Sequence, residues 1–194
     1  MKLKDLISKE HLKQNRQMHA RRRSFGGGGW KWAEHVRDLL MHMEIDAARS
    51  GCKPDWLDYG CGEETLHNAV VRLDRRVGKG CEYQGYDPGV RGKDVLPSPA
   101  HLVTCTDALE HVEPGKLDAV LAHINELTGV QAFLVIALNP ANKTLPNGSN
   151  THLILESPEW WMQRVAKAMR MCTVTRLKTQ RENKDLALLV ERSQ

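Results

Sequence analysis

The strongest constraint on the fold is a glycine-rich turn, Gly60-Cys61-Gly62, that joins a short apolar run to a helical pattern. The run Trp56-Leu57-Asp58-Tyr59 precedes the turn and predicts a strand. Apolar residues at helical spacing follow it and predict an amphipathic helix: Leu66, Val70, Leu73 and Val77. Glycines at such a turn let the backbone approach a ligand, and the helix start presents unpaired N–H groups. The sequence therefore predicts a strand, a ligand-binding turn and a helix in succession.

Strand and helix patterns alternate beyond this turn, and two β-rich runs close the chain. The further segments are strands at 82–86, 101–105 and 132–138, helix starts at Pro114 and Ser157-Pro158, and a final hairpin at 173–177 and 186–190. This alternation predicts an α/β fold with a Rossmann-like, mostly parallel sheet and a C-terminal antiparallel hairpin.

Composition limits the class of protein. The chain has 194 residues, 41% of them hydrophobic, which suits one domain with a short extension. No run of about 18 uncharged apolar residues is present, so we expect no membrane span. The first residues never develop the apolar segment of a secretory signal. Five cysteines without a CxxC pair predict reduced thiols and a cytoplasmic location.

The basic charge is concentrated at the N-terminus. Residues 1–23 carry eight Lys and Arg side chains against two acidic ones and end in Arg21-Arg22-Arg23. Such a segment can follow a nucleic-acid backbone, and a solvated helix is the equal alternative. Removing it would then weaken nucleic-acid binding and leave cofactor binding unchanged. The glycines at 26–29 that follow form either a hinge or linker or a loop that approaches a ligand closely.

Asp87 adds a second ligand-binding signal. It closes the second predicted strand and lies 29 positions after Asp58. In nucleotide-binding α/β folds, a carboxylate near this offset binds the ribose hydroxyls.

Four segments together resemble the class I S-adenosylmethionine (SAM)-dependent methyltransferases: "LDYGCGEETL", "YQGYDPG", "VTCTDALEHV" and the closing "DLALLVER". With "NGSNTHLI" and "PEWW", they also resemble methyltransferase-like proteins of phages and prophages. The resemblance implies a basic helical extension and glycine-rich loop over 1–29 and a SAM-binding methyltransferase domain over 30–194.

By position, the resemblance also implies a set of cofactor-binding residues. Gly60 and Gly62 would flank the methionine moiety, Asp58 would order the turn, Asp87 would hold the ribose, and Asp107 would border the cofactor. Two features depart from the family pattern. Glu64 replaces the usual third glycine, and the segment from Asp87 to Asp107 is about half the usual length. We therefore expect the third strand and its helix to be shortened or absent, and residues 90–99 to line the adenine pocket.

A candidate metal site follows the third predicted strand. Asp107, Glu110 and His111 fall within one helical turn, and His152 arrives from a later loop. Two carboxylates and two imidazoles suit Mg²⁺, Mn²⁺ or Fe²⁺. The set resembles the metal site of the small-RNA 3′-terminal 2′-O-methyltransferases, with Asp107 in place of a glutamate. The alternative is that the histidine only caps or packs, as in methyltransferases that have the same "LEH" without a metal.

The predicted function is methyl transfer from SAM to a hydroxyl of a nucleic acid or nucleotide. The sequence lacks both the Asn/Asp-Pro-Pro-aromatic tetrapeptide of amine methylation and the Pro-Cys pair of cytosine-C5 methylation. Glu110, His111 and His152 are the predicted catalytic residues. Two alternatives stay open: a metal-independent enzyme for a small metabolite, with His111 or His152 as general base, and a non-catalytic SAM-fold binding protein.

Overall fold

The computed structural model describes residues 1–21, 25–50, 53–181 and 184–193. Arg22 and Arg23 of the basic run lie outside the described residues, as do residues 182 and 183 of the predicted hairpin loop.

The described helices are α1 (Leu3–Leu6), α2 (Lys9–Arg21), α3 (Ala33–Ser50), α4 (Thr65–Leu73), α5 (Arg75–Gly80), α6 (Leu117–Leu127) and α7 (Pro158–Ala168). The strands are β1 (Asp55–Tyr59), β2 (Glu82–Tyr86), β3 (Ala100–Thr106), β4 (Thr128–Ala137), β5 (Cys172–Leu177) and β6 (Asp185–Arg192). Short 3₁₀ turns span Gly29–Trp32, Leu109–His111 and Pro114–Lys116.

The six strands form one sheet in the order β2-β1-β3-β4-β6-β5. The first four strands pair in parallel, and β6 pairs antiparallel with both β4 and β5. The predicted α/β fold with its closing antiparallel hairpin is therefore confirmed. Among the described residues, the chain passes from β2 to β3 without another strand or helix, which leaves β2 at the sheet edge.

Helices cover both faces of the sheet because its central strands are apolar on both sides. One core cluster packs α6 and α7 against the sheet around Leu121 and Trp161. The other packs α3 and α4 around Val36 and Val70. Residues 132–136 of β4 are completely buried, as predicted for a doubly covered strand.

The helix predicted from Leu66 to Val77 is in fact two helices. Asp74 has extended backbone between α4 and α5, and its carboxylate accepts hydrogen bonds from the N–H groups of Arg76 and Val77. An aspartate that caps a new helix in this way interrupts the preceding one. Apolar spacing alone could not show the break, because Val77 still packs into the same core cluster as Val70.

No helix among the described residues combines the length and the apolar character that crossing a bilayer requires.

Candidate functional site

The glycine turn after β1 is held against two neighbouring segments. Gly60 and Gly62 have φ angles of 80° and 48°, a left-handed backbone that glycine adopts without strain. The N–H groups of Gly60 and Cys61 donate to the carbonyl of Tyr86 at the end of β2. A Cβ on Gly62 would lie 2.4 Å from the Gly26 carbonyl oxygen. The glycine-rich loop at 26–29 therefore packs closely on the turn, which favours the ligand-approaching loop over the linker.

Two buried aspartates support this turn. The Asp58 carboxylate accepts a hydrogen bond from the Thr104 hydroxyl at 2.8 Å, and burial raises its pKa to about 7. The Asp87 carboxylate accepts N–H groups from Gly62 at 3.1 Å and Gly89 at 2.8 Å. Burial raises the pKa of Asp87, and the nearby His19 opposes that shift. Backbone hydrogen bonds thus fix Asp87 at the carboxyl end of β2.

A cavity, called here the main cavity, lies between these strand ends and the N-terminal helices. The strand ends contribute Gly60, Asp87 and Asp107, while α1 and α2 contribute a wall that includes Leu6, Ile7, His11, Asn15 and His19. Pro88 lines the main cavity, and residues 90–99 do not line it. A smaller cleft beside it is lined by the glycine turn, Asp58 and Gly29.

Asp107 stands where these spaces meet. It lines the main cavity, the smaller cleft and a third pocket on the far side, which we call the acceptor pocket. Its φ of 52° is unusual for a residue with a side chain, and such backbone is typical of functional sites. Its carboxylate lies 3.3 Å from the Lys31 ammonium. Burial raises the pKa of Asp107, and Lys31 opposes the shift.

Glu110, His111 and His152 meet in the acceptor pocket. One ligand atom from each lies within 4.8 Å of the others. The His152 Nε2 atom is 3.9 Å from Glu110 Oε1, and the rings of His111 and His152 are 4.8 Å apart between centroids. The structure does not bring Asp107 into this cluster, because its carboxylate faces Lys31 instead.

Hydrogen bonds orient both histidines. The Nδ1–H of His111 donates to the Thr151 carbonyl at 2.7 Å, and the Nδ1–H of His152 donates to the Asn139 carbonyl at 2.6 Å. Each imidazole therefore keeps the lone pair of Nε2 for another partner, the arrangement typical of metal-binding histidines. Glu110 Oε1 accepts the N–H of Ala137, while the buried Oε2 has no partner.

Burial dominates the charge states in this cluster. It raises the pKa of Glu110 to about 8, with a further rise from Asp107. It lowers the pKa of His111 to about 3, with a further decrease from His152. A carboxyl oxygen without a partner and an imidazole nitrogen with an available lone pair, close together in one space, are groups that a cation would stabilise.

The comparison with protein families decides the class of the molecule. Residues 19–190 match the family described as "Methyltransferase domain". The chain belongs to this methyltransferase family. The match begins within α2 and ends within β6, so it covers the glycine turn, Asp87 and the Glu110-His111-His152 cluster. No curated protein is significantly similar to this methyltransferase in sequence.

Solved structures share the fold of this methyltransferase at low sequence identity. An O-methyltransferase family protein from Burkholderia thailandensis has a TM-score of 0.55 and 14% identity over 89% of this chain. This chain spans 59% of that protein's length. The Synechocystis magnesium protoporphyrin IX methyltransferase, solved with bound SAM, has a TM-score of 0.54 and 16% identity. The matched regions are 84% of this chain and 79% of that one.

A third neighbour is the 1,6-didemethyltoxoflavin-N1-methyltransferase of Burkholderia thailandensis, with a TM-score of 0.55 and 13% identity. The matched regions are 95% of this chain and 90% of that one. Its structure contains S-adenosylhomocysteine and the substrate. These likenesses establish the fold of this methyltransferase, and they include both O- and N-methyltransferases.

Basic side chains surround the acceptor pocket of this methyltransferase. Lys31, Lys143, Arg181 and Lys184 line it together with the metal-ligand cluster. Arg181 pairs with Asp185, and Lys31 pairs with Asp107. The cations come from three distant parts of the chain, so sequence spacing gave no sign of them.

The sequence analysis also missed the inner face of α2. His11, Asn15 and His19 lie four residues apart and all line the main cavity, whereas Lys9 and Lys13 of the same helix are exposed. The four-residue spacing was visible in the sequence, but a polar stripe is not a standard sign of burial. Because α2 is a wall of the main cavity, removing the N-terminus would change the binding of any ligand that occupies this cavity.

Proposed function

We propose that this protein transfers a methyl group from SAM to a hydroxyl of a nucleic acid or nucleotide, with a divalent ion held by Glu110, His111 and His152. One observation carries the proposal: the buried Glu110 Oε2 atom has no partner and shares its space with two imidazoles whose Nδ1 atoms are already engaged. A buried unpaired carboxylate oxygen is costly, so its presence supports a cation at this position.

The cofactor roles follow from the geometry around the turn. Gly60 lines the smaller cleft and leaves room there for the methionine moiety, and the Asp58 carboxylate, which lines the same cleft, is held by the Thr104 hydroxyl. Asp87 points its carboxylate into the main cavity, where it can accept ribose hydroxyls. Asp107 borders both spaces and the acceptor pocket. This supports a position beside Asp107 for the transferred methyl group of the bound cofactor.

The chemistry of the donor set fits a transition-metal ion better than Mg²⁺. Two of the three donors are imidazole nitrogens, which suit Fe²⁺ or Mn²⁺, whereas Mg²⁺ favours oxygen ligands. When bound, such an ion lowers the pKa of a coordinated hydroxyl. The hydrogen bonds from His111 and His152 to backbone carbonyls hold the imidazoles in the metal-binding tautomer.

The basic residues around the acceptor pocket support an anionic acceptor. Lys31, Lys143, Arg181 and Lys184 surround the position where the acceptor hydroxyl must approach Asp107 and the metal ligands. Phosphate groups are the anions that such a rim attracts in nucleic acids and nucleotides. Together with the Glu110-His111-His152 cluster, this supports the resemblance to the small-RNA 2′-O-methyltransferases.

The test removes one side chain of the proposed metal site and measures metal binding, cofactor binding and activity separately. We expect His152→Ala to weaken Mn²⁺ binding, measured by electron paramagnetic resonance, by more than about tenfold. Methyl transfer to short RNA oligonucleotides should fall with it, while S-adenosylhomocysteine binding stays unchanged. His42→Ala, on the exposed part of α3, is the matched control.

Two outcomes would overturn parts of the proposal. Full activity after chelation of divalent ions would show that the reaction needs no metal ion. It would favour His111 or His152 as a general base for a metal-independent reaction. SAM binding without transfer to any hydroxyl acceptor would favour the non-catalytic alternative.

A further inference from the structure

The inner face of α2 holds buried polar atoms that nothing in the protein satisfies. Asn15 Oδ1 and His19 Nδ1 are both buried without a hydrogen-bond partner. The His19 side chain is only 9% exposed, and both residues line the main cavity. Glu63 Oε1, at 3.9 Å from His19 Nδ1, is too far away for a hydrogen bond. Buried polar atoms are normally paired, so two unpartnered atoms on residues that line one cavity point to a ligand there.

The short connection between β2 and β3 explains why α2 is needed at this place. Residues 90–99 do not line the main cavity, and no described strand or helix lies between β2 and β3. The side of the cavity that this segment was expected to close is closed by α1 and α2 instead. The N-terminal helices therefore replace a missing wall.

The walls of the main cavity match the chemistry of a purine nucleoside. Apolar side chains line the space, including Ile7 from the N-terminal segment and Val112 after the Leu109–His111 turn. The polar groups are grouped near Asp87, whose Oδ2 lies 3.8 Å from His19 Nε2. A nucleoside has apolar ring faces, a polar base edge and ribose hydroxyls, and this cavity offers a partner to each.

We propose that α2 supplies the adenosine-binding wall of this methyltransferase. His19 and Asp87 together bind the ribose hydroxyls, and the exocyclic amine of adenine donates a hydrogen bond to the Asn15 Oδ1 atom. This inference rests on the proposed function, because it takes SAM as the ligand of the main cavity.

A glycine contact sets the position of α2. A Cβ on Gly89 would lie 3.0 Å from His19 Cδ2 and 3.2 Å from Asn15 Cβ. The helix is also held by Arg16, which pairs with Asp94 at 3.1 Å, and by His11, which donates to the His111 carbonyl at 2.9 Å. A methyl group at residue 89, which would also lie 3.2 Å from Asp87 Oδ1, would therefore shift these cavity-lining groups by tenths of an ångström and leave Asn15 and His19 chemically intact.

The experiment measures S-adenosylhomocysteine affinity of the full chain by calorimetry. We expect His19→Ala and Asn15→Ala each to weaken binding about tenfold, the loss of one hydrogen bond to a buried ligand. Lys13→Ala, on the exposed face of the same helix, should change it less than about twofold. Gly89→Ala should weaken binding as well, whereas Gly115→Ala, where no atom lies within 4 Å of an added Cβ, should not.

A base analogue separates recognition from a merely structural role. S-inosylhomocysteine replaces the adenine amine with an oxygen, so wild type should prefer S-adenosylhomocysteine and Asn15→Ala should lose most of that preference. If Asn15→Ala weakens the binding of both ligands equally, Asn15 does not recognise the adenine amine. If the wild type binds S-adenosylhomocysteine and the His19 and Asn15 variants bind it with the same affinity, the role of α2 is overturned and the proposed function is not. Failure of the wild type to bind either ligand would overturn the proposed function with it.

Discussion

The two sides of Asp107 are built differently. On the cofactor side, the carboxylates of Asp58 and Asp87 are satisfied by the fold, through the Thr104 hydroxyl and the N–H groups of Gly62 and Gly89. On the acceptor side, one oxygen of the equally buried Glu110 has no partner. Burial raises the pKa of Asp58 to about 7 and that of Glu110 to about 8, so both carboxyl groups bear a similar desolvation cost.

The difference teaches which buried carboxyl groups have hydrogen-bond partners before any ligand binds and which do not. A partnered carboxyl group keeps its hydrogen bonds whether or not a ligand is present, although burial still disfavours its ionised form. An unpartnered one gains its compensation only when a cation binds. Three predictions test this comparison.

The largest effect concerns stability on the cofactor side. Because the pKa of Asp58 in the folded protein, about 7, is above its usual value, the folded state loses stability as pH rises from about 4 to about 7. Asp58→Asn cannot ionise and keeps an acceptor for the Thr104 hydroxyl. We expect its unfolding free energy to exceed that of wild type by about 2 to 4 kcal/mol above pH 7, and by little near pH 4.

Urea denaturation across this pH range measures the difference. Asp118→Asn, at a carboxylate whose side chain is 69% exposed, is the matched control. If the difference in unfolding free energy between Asp58→Asn and wild type stays constant with pH, ionisation of Asp58 costs the folded state little.

The second effect concerns the cofactor itself. Asp87→Ala should weaken SAM binding by about 30-fold or more, because the ribose hydroxyls lose a charged acceptor. Mn²⁺ binding should remain, since Asp87 is not in the Glu110-His111-His152 cluster. Calorimetry measures SAM binding, and titration followed by electron paramagnetic resonance measures Mn²⁺ binding, so the two sites are assessed independently. Unchanged SAM affinity in this variant would contradict the assignment of Asp87.

The smallest effect concerns the basic rim. Lys184→Ala should raise KM for an RNA acceptor about threefold. It should also reduce the slope of log affinity against log salt concentration by about the amount expected for one lost phosphate contact. The exposed Lys184 side chain lines the acceptor pocket, whereas the exposed Lys167 on α7 does not line it and serves as control. Steady-state kinetics at several salt concentrations measure both quantities. Equal behaviour of the two variants would mean that the rim does not bind the acceptor.

Several parts of the site could be predicted because they depend on residues close in sequence. The glycine turn follows from Gly60 and Gly62 between a strand and a helix, and Asp87 follows from its place at the end of the next strand. Glu110 and His111 are adjacent, and only His152 had to be brought in by the fold. The break at Asp74 was missed, since a helix cap leaves the apolar periodicity unchanged.

The sequence by itself determined the order of strands and helices, the closing hairpin and the position of the ligand-binding turn, because hydrophobic periodicity and glycine placement act over a few residues. Only the tertiary structure decided which side chains share a space. It turned Asp107 toward Lys31 and away from the metal-ligand cluster, and it placed Asn15 and His19 against Asp87. These contacts join residues about 70 or more positions apart, and their geometry depends on how whole helices pack on the sheet.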